Sequence, residues 1–286
     1  MMNALEYLER NMDGDIDVNE AAGSACMSSF HFQRMFHMLT GVTVADYVRR
    51  RRLTLAAQEL ASTTARVGDV AIKYGYESPE AFSKAFSKAH GIAPSASKRP
   101  GVRLKAFPRL SFHISIRGDQ DMEYTIAERA AFTVVGRAVR VSCKDGENLK
   151  TIPAFWGQVS TDGTIEALKT LSKGAKITGL SILGICTEFS GDMQEFTYLV
   201  AVETTDRIAP DGFVVKEIGA ATWAAFDSVG PMPGAIQSVW QRIFSEFFPS
   251  TGFEHAPGLP ELEVYGQGNP YDEDYHCQVW VPIVRK

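Results

Sequence analysis

The chain has 286 residues, 45% of them hydrophobic, enough to bury two or three ordinary cores. It carries 29 basic against 34 acidic residues, a balance that taken whole argues against nucleic acid. Four cysteines (Cys26, Cys143, Cys186, Cys277) stand far apart, with no CxxC and no histidine at metal spacing, which excludes a zinc ribbon and points to reduced thiols rather than a disulfide framework.

From the N-terminus, MMNALEYLERNMDGD reads as an acidic helix rather than a signal peptide. One pattern is then written twice. DVNEAAGSACMSSFHFQRMFHMLTG (Asp17–Gly41) and VGDVAIKYGYESPEAFSKAFSKAHGIAP (Val67–Pro94) each give a short helix with small residues and then a turn. A serine follows (Ser28, Ser78), then a longer helix with paired phenylalanines (Phe32 and Phe36, Phe82 and Phe86) and a closing glycine (Gly41, Gly91). Serine accepts from an unpaired first-turn N–H, and glycine takes the left-handed conformation after the last turn. Two short helices joined by a tight turn form a helix-turn-helix, whose second helix enters the major groove. The linking stretch ADYVRRRRLTLAAQELAST reads as one rigid helix. It would hold two recognition helices to adjacent grooves roughly 34 Å apart. Of the run Arg49–Arg52, two are expected in solvent and the others on phosphate or acidic partners.

The charge divides along the same line. His31–Lys105 holds 13 Lys and Arg against 5 Asp and Glu, or +8, whereas Ala106–Lys286 holds 15 against 23, or −8. A basic segment on an acidic chain is the asymmetry expected of a DNA-binding module joined to something else. SKRPGVRLKAFPRLSF, with two prolines, one glycine and five basic residues, reads as the linker.

Beyond the linker the chain echoes itself faintly. Glu128 and Glu217 stand 89 residues apart, Trp156 and Trp240 stand 84 apart, and Val200 and Val279 stand 79 apart, with extra loop residues around Gly163–Gly179 absorbing the change. MEYTIAERAAFTVVGRAVRV and GFVVKEIGAATWAAFDSV alternate with period two, as half-buried antiparallel strands do, with a turn at Gly219. PGAIQSVWQRIFSEFF has helical spacing and stops at Pro249. Trp240 falls on its apolar stripe and is expected in the core. The fold class read from these patterns is multidomain. An all-α N-terminal domain precedes a duplicated α+β domain of two antiparallel sheets and two helices about a pseudo-twofold, with a concave surface where the sheets meet.

The first hundred residues resemble the DNA-binding domain of the AraC/XylS family of transcription regulators, through the two copies, Ile72, Gly75, Tyr76, Phe82, Phe86, Gly91 and Pro94 in the second, and the Arg52–Leu53 pair in the connector. The resemblance implies DNA contacts from Ser29, Phe30, Gln33 and Arg34 of the first recognition helix, from Glu80 and Lys84 of the second, and from Arg52. Residues Met122–Ile283 resemble the GyrI-like small-molecule-binding domain, most closely at PELEVYGQGNPYDEDYHCQVWVPI, and the order of the two domains is that of Rob-like regulators. By that resemblance Glu263 takes the ligand-binding glutamate position and Tyr265 projects beside it. Trp156, Trp223, Tyr198, Phe155 and Trp280 are candidate walls, and Glu188 is the rival carboxylate. A carboxylate among aromatic rings is costly to ionise until a cation arrives, whose apolar body then stacks on the ring faces.

The boundaries read are 1–99 for the DNA-binding domain, 100–111 for the linker and 112–286 for the effector domain. The implied partners are double-stranded promoter DNA, RNA polymerase and a small lipophilic effector, with cations among the candidates. No cofactor, metal, catalytic residue or membrane is expected, and the expected location is the cytoplasm. Two alternatives stay open: a GyrI-like hydrolase of small electrophilic lipids, and a ligand-free protein-interaction module. The chain offers no Ser-His-Asp order, P-loop or dinucleotide fingerprint.

Overall fold

A computed structural model describes residues 1–111, 121–173 and 181–286. Packing divides the chain into two bodies. The first comprises Met1–Phe32 and the stretch from Val44 to the linker; the second comprises Gln33–Thr43 and the C-terminal stretch ending at Lys286. The opening residues of the expected effector domain, 112–120, and residues 174–179 of the expected extra loop lie outside the described residues.

The expected helices form. They are α1 (Met2–Arg10), α2 (Val18–Ser24), α3 (Ser29–Thr40), α4 (Val44–Ser62), α5 (Val67–Lys73) and α6 (Pro79–His90). The caps are those the residue types dictate. Asp17 accepts from Asn19 N–H at 2.7 Å, and Ser78 accepts from Ala81 N–H at 3.1 Å with Pro79 in the first turn of α6. Gly91 closes α6 at φ 77. Inside the first body Leu53, Leu60, Val70, Phe82 and Phe86 share one buried cluster.

In the arginine run of α4 the expected acidic partners are found, and the two side chains expected in solvent are instead engaged. All four side chains are engaged internally: Arg49 with Asp46, Arg50 against the Phe107 ring, Arg51 with both oxygens of Glu9, and Arg52 with the carbonyls of Met12 and Gly14. Gly75 is required here, because a Cβ would meet the Arg52 guanidinium 2.6 Å away at a backbone φ of +76.

In the second body the strands are β1 (Thr125–Arg129), β2 (Phe132–Ser142), β3 (Ile182–Thr187), β4 (Glu195–Thr204), β5 (Val214–Ile218), β6 (Ala221–Val229), β7 (Phe253–His255), β8 (Glu261–Tyr265) and β9 (His276–Arg285). The helices are α7 (Asn148–Thr161), α8 (Thr164–Leu171) and α9 (Gly234–Arg242). Beyond Arg242 the last helix continues through a π-turn, Ile243–Phe247, and ends at Ser250, one residue past the expected stop at Pro249.

The strand order is β1-β6-β9-β8-β3-β4-β2-β5, with β7 added beside β9. One continuous sheet therefore replaces the two expected sheets, because β3 and β8 pair directly across the centre. The expected hairpin partners also separate: β1 pairs with β6, and β5 pairs with β2. Exchanging β1 with β5, β2 with β6, β3 with β8 and β4 with β9 reproduces the order read from its other end. Each outer strand thus finishes the opposite half. Helices α7, α8 and α9 cover one face. The other face carries Leu183, Ile185, Leu262, Val264, Trp223 and Trp280 in a separate apolar cluster.

Candidate functional site: two buried carboxylates and an aromatic cage

The central strand β8 reads Glu-Leu-Glu-Val-Tyr, and period two sends its polar members one way. Leu262 and Val264 join the buried apolar cluster of the opposite face, so Glu261, Glu263 and Tyr265 project towards the helices. The register sets Glu263 opposite Gly184 of β3 and Glu261 opposite Cys186, which in turn faces Tyr198 of β4.

Glu263 is 8% exposed. Its Oε2 accepts from Tyr198 Oη at 2.9 Å and from Tyr265 Oη at 2.7 Å, and its Oε1 accepts from Trp240 Nε1 at 2.9 Å. Tyr198 Oη also accepts from Trp156 Nε1 at 2.9 Å, and the Trp156 ring meets Tyr265 edge-on at 4.8 Å. Neutral donors solvate the carboxylate without cancelling its charge, which leaves a negative centre in an aromatic wall. Burial, then the nearby Glu263 charge, pushes both tyrosine hydroxyls well up, so they serve as donors.

Glu261 is wholly buried and holds Arg34 of α3 in a two-pronged pair, Nε to Oε1 at 2.6 Å and Nη2 to Oε2. His255 Nε2 lies 3.1 Å from Glu261 Oε1. The Arg34 guanidinium also sits over three rings, Phe189 at 5.3 Å, Trp240 at 5.6 Å and Phe244 at 5.6 Å. Its neighbour Gln33 donates to the Gly191 carbonyl at 3.0 Å. Trp240 joins the two halves of the site, its ring face on Arg34 and its N–H on Glu263. The π-turn after α9 carries Phe244 into the cage, a use of π-turns that recurs at functional sites. Burial, then the charges of Glu263 and Glu261, pushes the Cys186 thiol well up, so it is a poor nucleophile between them.

Burial alone would lift the Glu261 carboxyl. The Arg34 charge and the hydrogen bonds from His255 and Arg34 outweigh it and hold the group at about 2. A carboxyl depressed below its unfolded value stabilises the fold above that value, roughly pH 4.3, and loses the contribution as pH falls towards the folded one. The contribution is on the order of 3 kcal/mol at neutral pH and should fall by about half near pH 3. Urea unfolding of the wild type and Glu261→Gln should therefore show a stability gap that narrows below about pH 4.3. A gap that stays constant from neutral pH into that acid range would contradict this picture of the pair.

The structure gathers some of the expected ligand residues and disperses others. Glu263, Tyr265, Tyr198 and Trp156 come together as described. Phe155 instead fills the core beneath α7 with Val159 and Leu168. Trp223 and Trp280 must be corrected: register places them on the sheet face opposite Glu263, with Leu262. Glu188 must also be corrected, since it is mostly exposed and bound by Lys216 and Thr197. Trp240, expected as core alone, is buried and also a donor to Glu263. Among the expected DNA contacts, Glu80 and Lys84 are exposed on α6, while Ser29 and Phe30 are half-buried at the start of α3. Gln33 and Arg34 are buried in the second body, and Arg52 is corrected to a bracket between α4 and the turn after α1. Sequence reasoning missed Glu261, Phe189, Phe244 and Gly184. Glu261 alone had a signal, since it stands two residues before Glu263 on a strand.

Residues 125–283, more than half of the chain, match the family of integron-associated effector binding proteins. The chain belongs to that family. Residues 21–99 match a helix-turn-helix domain family, and this N-terminal domain is AraC-type. Curated relatives cover about a third of the chain. The TetD protein of transposon Tn10 from Escherichia coli is 36% identical over 97 residues, 34% of this chain and 70% of its own. The activator AarP of Providencia stuartii is 35% identical over 91 residues, 32% of this chain and 67% of its own. The regulatory protein SoxS of Salmonella typhimurium is 34% identical over 91 residues, covering 32% and 85%. Among solved structures, that of SAV2435 bound to tetraphenylphosphonium shares the fold of the effector part, with a TM-score of 0.50 and 21% identity over 57% of this chain and 94% of that one. This family member is thus an AraC-type DNA-binding regulator with an effector-binding GyrI-like domain. Among the described residues, no helix is long and apolar enough to cross a membrane.

Proposed function

We propose that the regulator senses a lipophilic cation, held by the Glu263 carboxylate and the rings of Trp156, Tyr265 and Trp240, and that it binds this effector without converting it. One observation carries the reading. The site already holds a cation, because the Arg34 guanidinium rests on Glu261 between Phe189, Trp240 and Phe244. Arginine over aromatic faces and against a carboxylate is the chemistry that a bulky organic cation would reproduce. The fold shared with a protein whose structure contains tetraphenylphosphonium agrees with the choice of probe. In this reading residues 1–99 bind promoter DNA in the cytoplasm and RNA polymerase is the protein partner. The basic charge of His31–Lys105 supports the DNA role.

Thermal melting of the full chain with tetraphenylphosphonium, with a neutral aromatic of the same outline and with neutral lipids tests the effector class. The cation should raise the melting temperature in proportion to the logarithm of its concentration, and the neutral compounds should not. Mass spectrometry should recover each compound unchanged. Stabilisation by neutral lipids alone, or their turnover, would contradict the proposal.

A further inference from the structure

Arg34 has two incompatible assignments. The sequence puts it at a base-contact position of the first recognition helix, and the structure puts it inside the carboxylate and aromatic cage of the effector site. We infer that Arg34 is the resident cation of the effector site, and that a cationic effector acts by displacing it and so releasing the first recognition helix for DNA. The inference rests on the cationic reading above and adds the regulation of that same site.

Three observations carry it. First, the occupancy is specific: both guanidinium nitrogens that reach Glu261 do so with one oxygen each, while the three rings flank the charge. Such a fork-to-fork pair fixes the side chain in one place. Second, the neighbouring base-contact position is also engaged, since Gln33 donates to Gly191 in the turn before β4. Gln33 and Arg34, both buried, are therefore not presented to bases. Third, Arg34 leaves at a cost unless another cation takes its place. Its departure leaves the buried Glu261 with His255 Nε2, 3.1 Å away, as its remaining partner and a second carboxylate at Glu263 nearby, an unfavourable arrangement. A neutral molecule does not relieve that, whereas a cation does. The same residue therefore sets the ligand class and couples the ligand to DNA. Linkage makes the coupling reciprocal, so effector and DNA tighten each other.

Two arms on the full chain test the inference. Calorimetry with tetraphenylphosphonium should show Arg34→Gln binding the cation about tenfold or more tightly than the wild type, because the internal competitor is gone. Arg34→Lys, which keeps a charge for the cage but loses the two-pronged pair, should fall between the wild type and Arg34→Gln. Equal affinity in wild type and Arg34→Gln would overturn displacement while leaving the cationic effector standing. Heat from neither chain would overturn the cationic effector and the displacement step with it. In the second arm, Glu261→Gln keeps every side chain assigned to DNA and weakens the hold on Arg34. Without any cation it should bind DNA fragments selected by the wild type about tenfold or more tightly than the wild type does. Phe189→Ala loosens the cage without touching a buried charge and serves where Glu261→Gln does not fold. Unchanged DNA affinity in a folded variant would overturn the inference whatever the cation does.

Discussion

Gly184→Ala is expected to destabilise the chain by about 2–3 kcal/mol and to weaken effector binding, because an added methyl has nowhere to go. Gly184 lies at the middle of β3, between Val200 of β4 and Glu263 of β8. A Cβ there would meet Tyr198 Oη, with Glu263 Oε2 at 2.8 Å and Tyr198 Cζ at 3.1 Å. Neither neighbour is a loose chain end. Tyr198 is buried and tied at its hydroxyl to both Trp156 and Glu263, and Glu263 is tied to three donors. The methyl must push the tyrosine off the carboxylate or force β3 away from its neighbouring strands. Gly157→Ala on α7 supplies the contrast, since nothing lies within 4 Å of its Cβ and alanine favours a helix by about 1 kcal/mol. Urea unfolding should lower the midpoint for Gly184→Ala and hold or raise it for Gly157→Ala. Equal midpoints for the two variants would mean that the glycine is not what makes room for the site.

Much of this fold is legible in the residues because local chemistry specifies it. Asp17 and Ser78 cap helices, Gly91 ends one, and the paired phenylalanines of α6 enter a core, all as their residue types require. The alternation of Glu-Leu-Glu-Val-Tyr is by itself enough to put Glu263 and Tyr265 on one face of a strand. What local chemistry leaves undetermined is pairing over distance. Period two says that Trp223 and Trp280 share a face with someone, and only the register of β6, β9 and β8 shows that the face is the one opposite Glu263. Helical periodicity puts Trp240 on a buried stripe, and nothing in the stripe reveals that its N–H ends on a carboxylate 23 residues later. The pair of Arg34 and Glu261 spans 227 residues. Arginine on a recognition helix reads as a DNA contact, and the burial that contradicts this comes from residues far along the chain. The arginines of α4 teach the same lesson, since Glu9, Phe107 and the turn after α1 engage them.

The largest expected effect on ligand binding belongs to Glu263. Its carboxylate has both oxygens turned to the aromatic wall, Oε2 to two tyrosines and Oε1 to a tryptophan. Glutamine in its place keeps the shape and one accepting oxygen but removes the charge. The affinity for a lipophilic cation should fall by roughly 1–3 kcal/mol, the scale of a charged hydrogen bond or a partly desolvated pair. A neutral aromatic of the same outline should change little, because stacking area is preserved. Trp156→Ala should weaken both, since the ring that meets Tyr265 is lost for either ligand. The most direct measurement is calorimetry of tetraphenylphosphonium and of a neutral tetraphenyl analogue on the full chain and on Glu263→Gln. If Glu263 is the cation's partner, the loss is confined to the cation. Equal weakening of both ligands, or no weakening of either, would contradict that role.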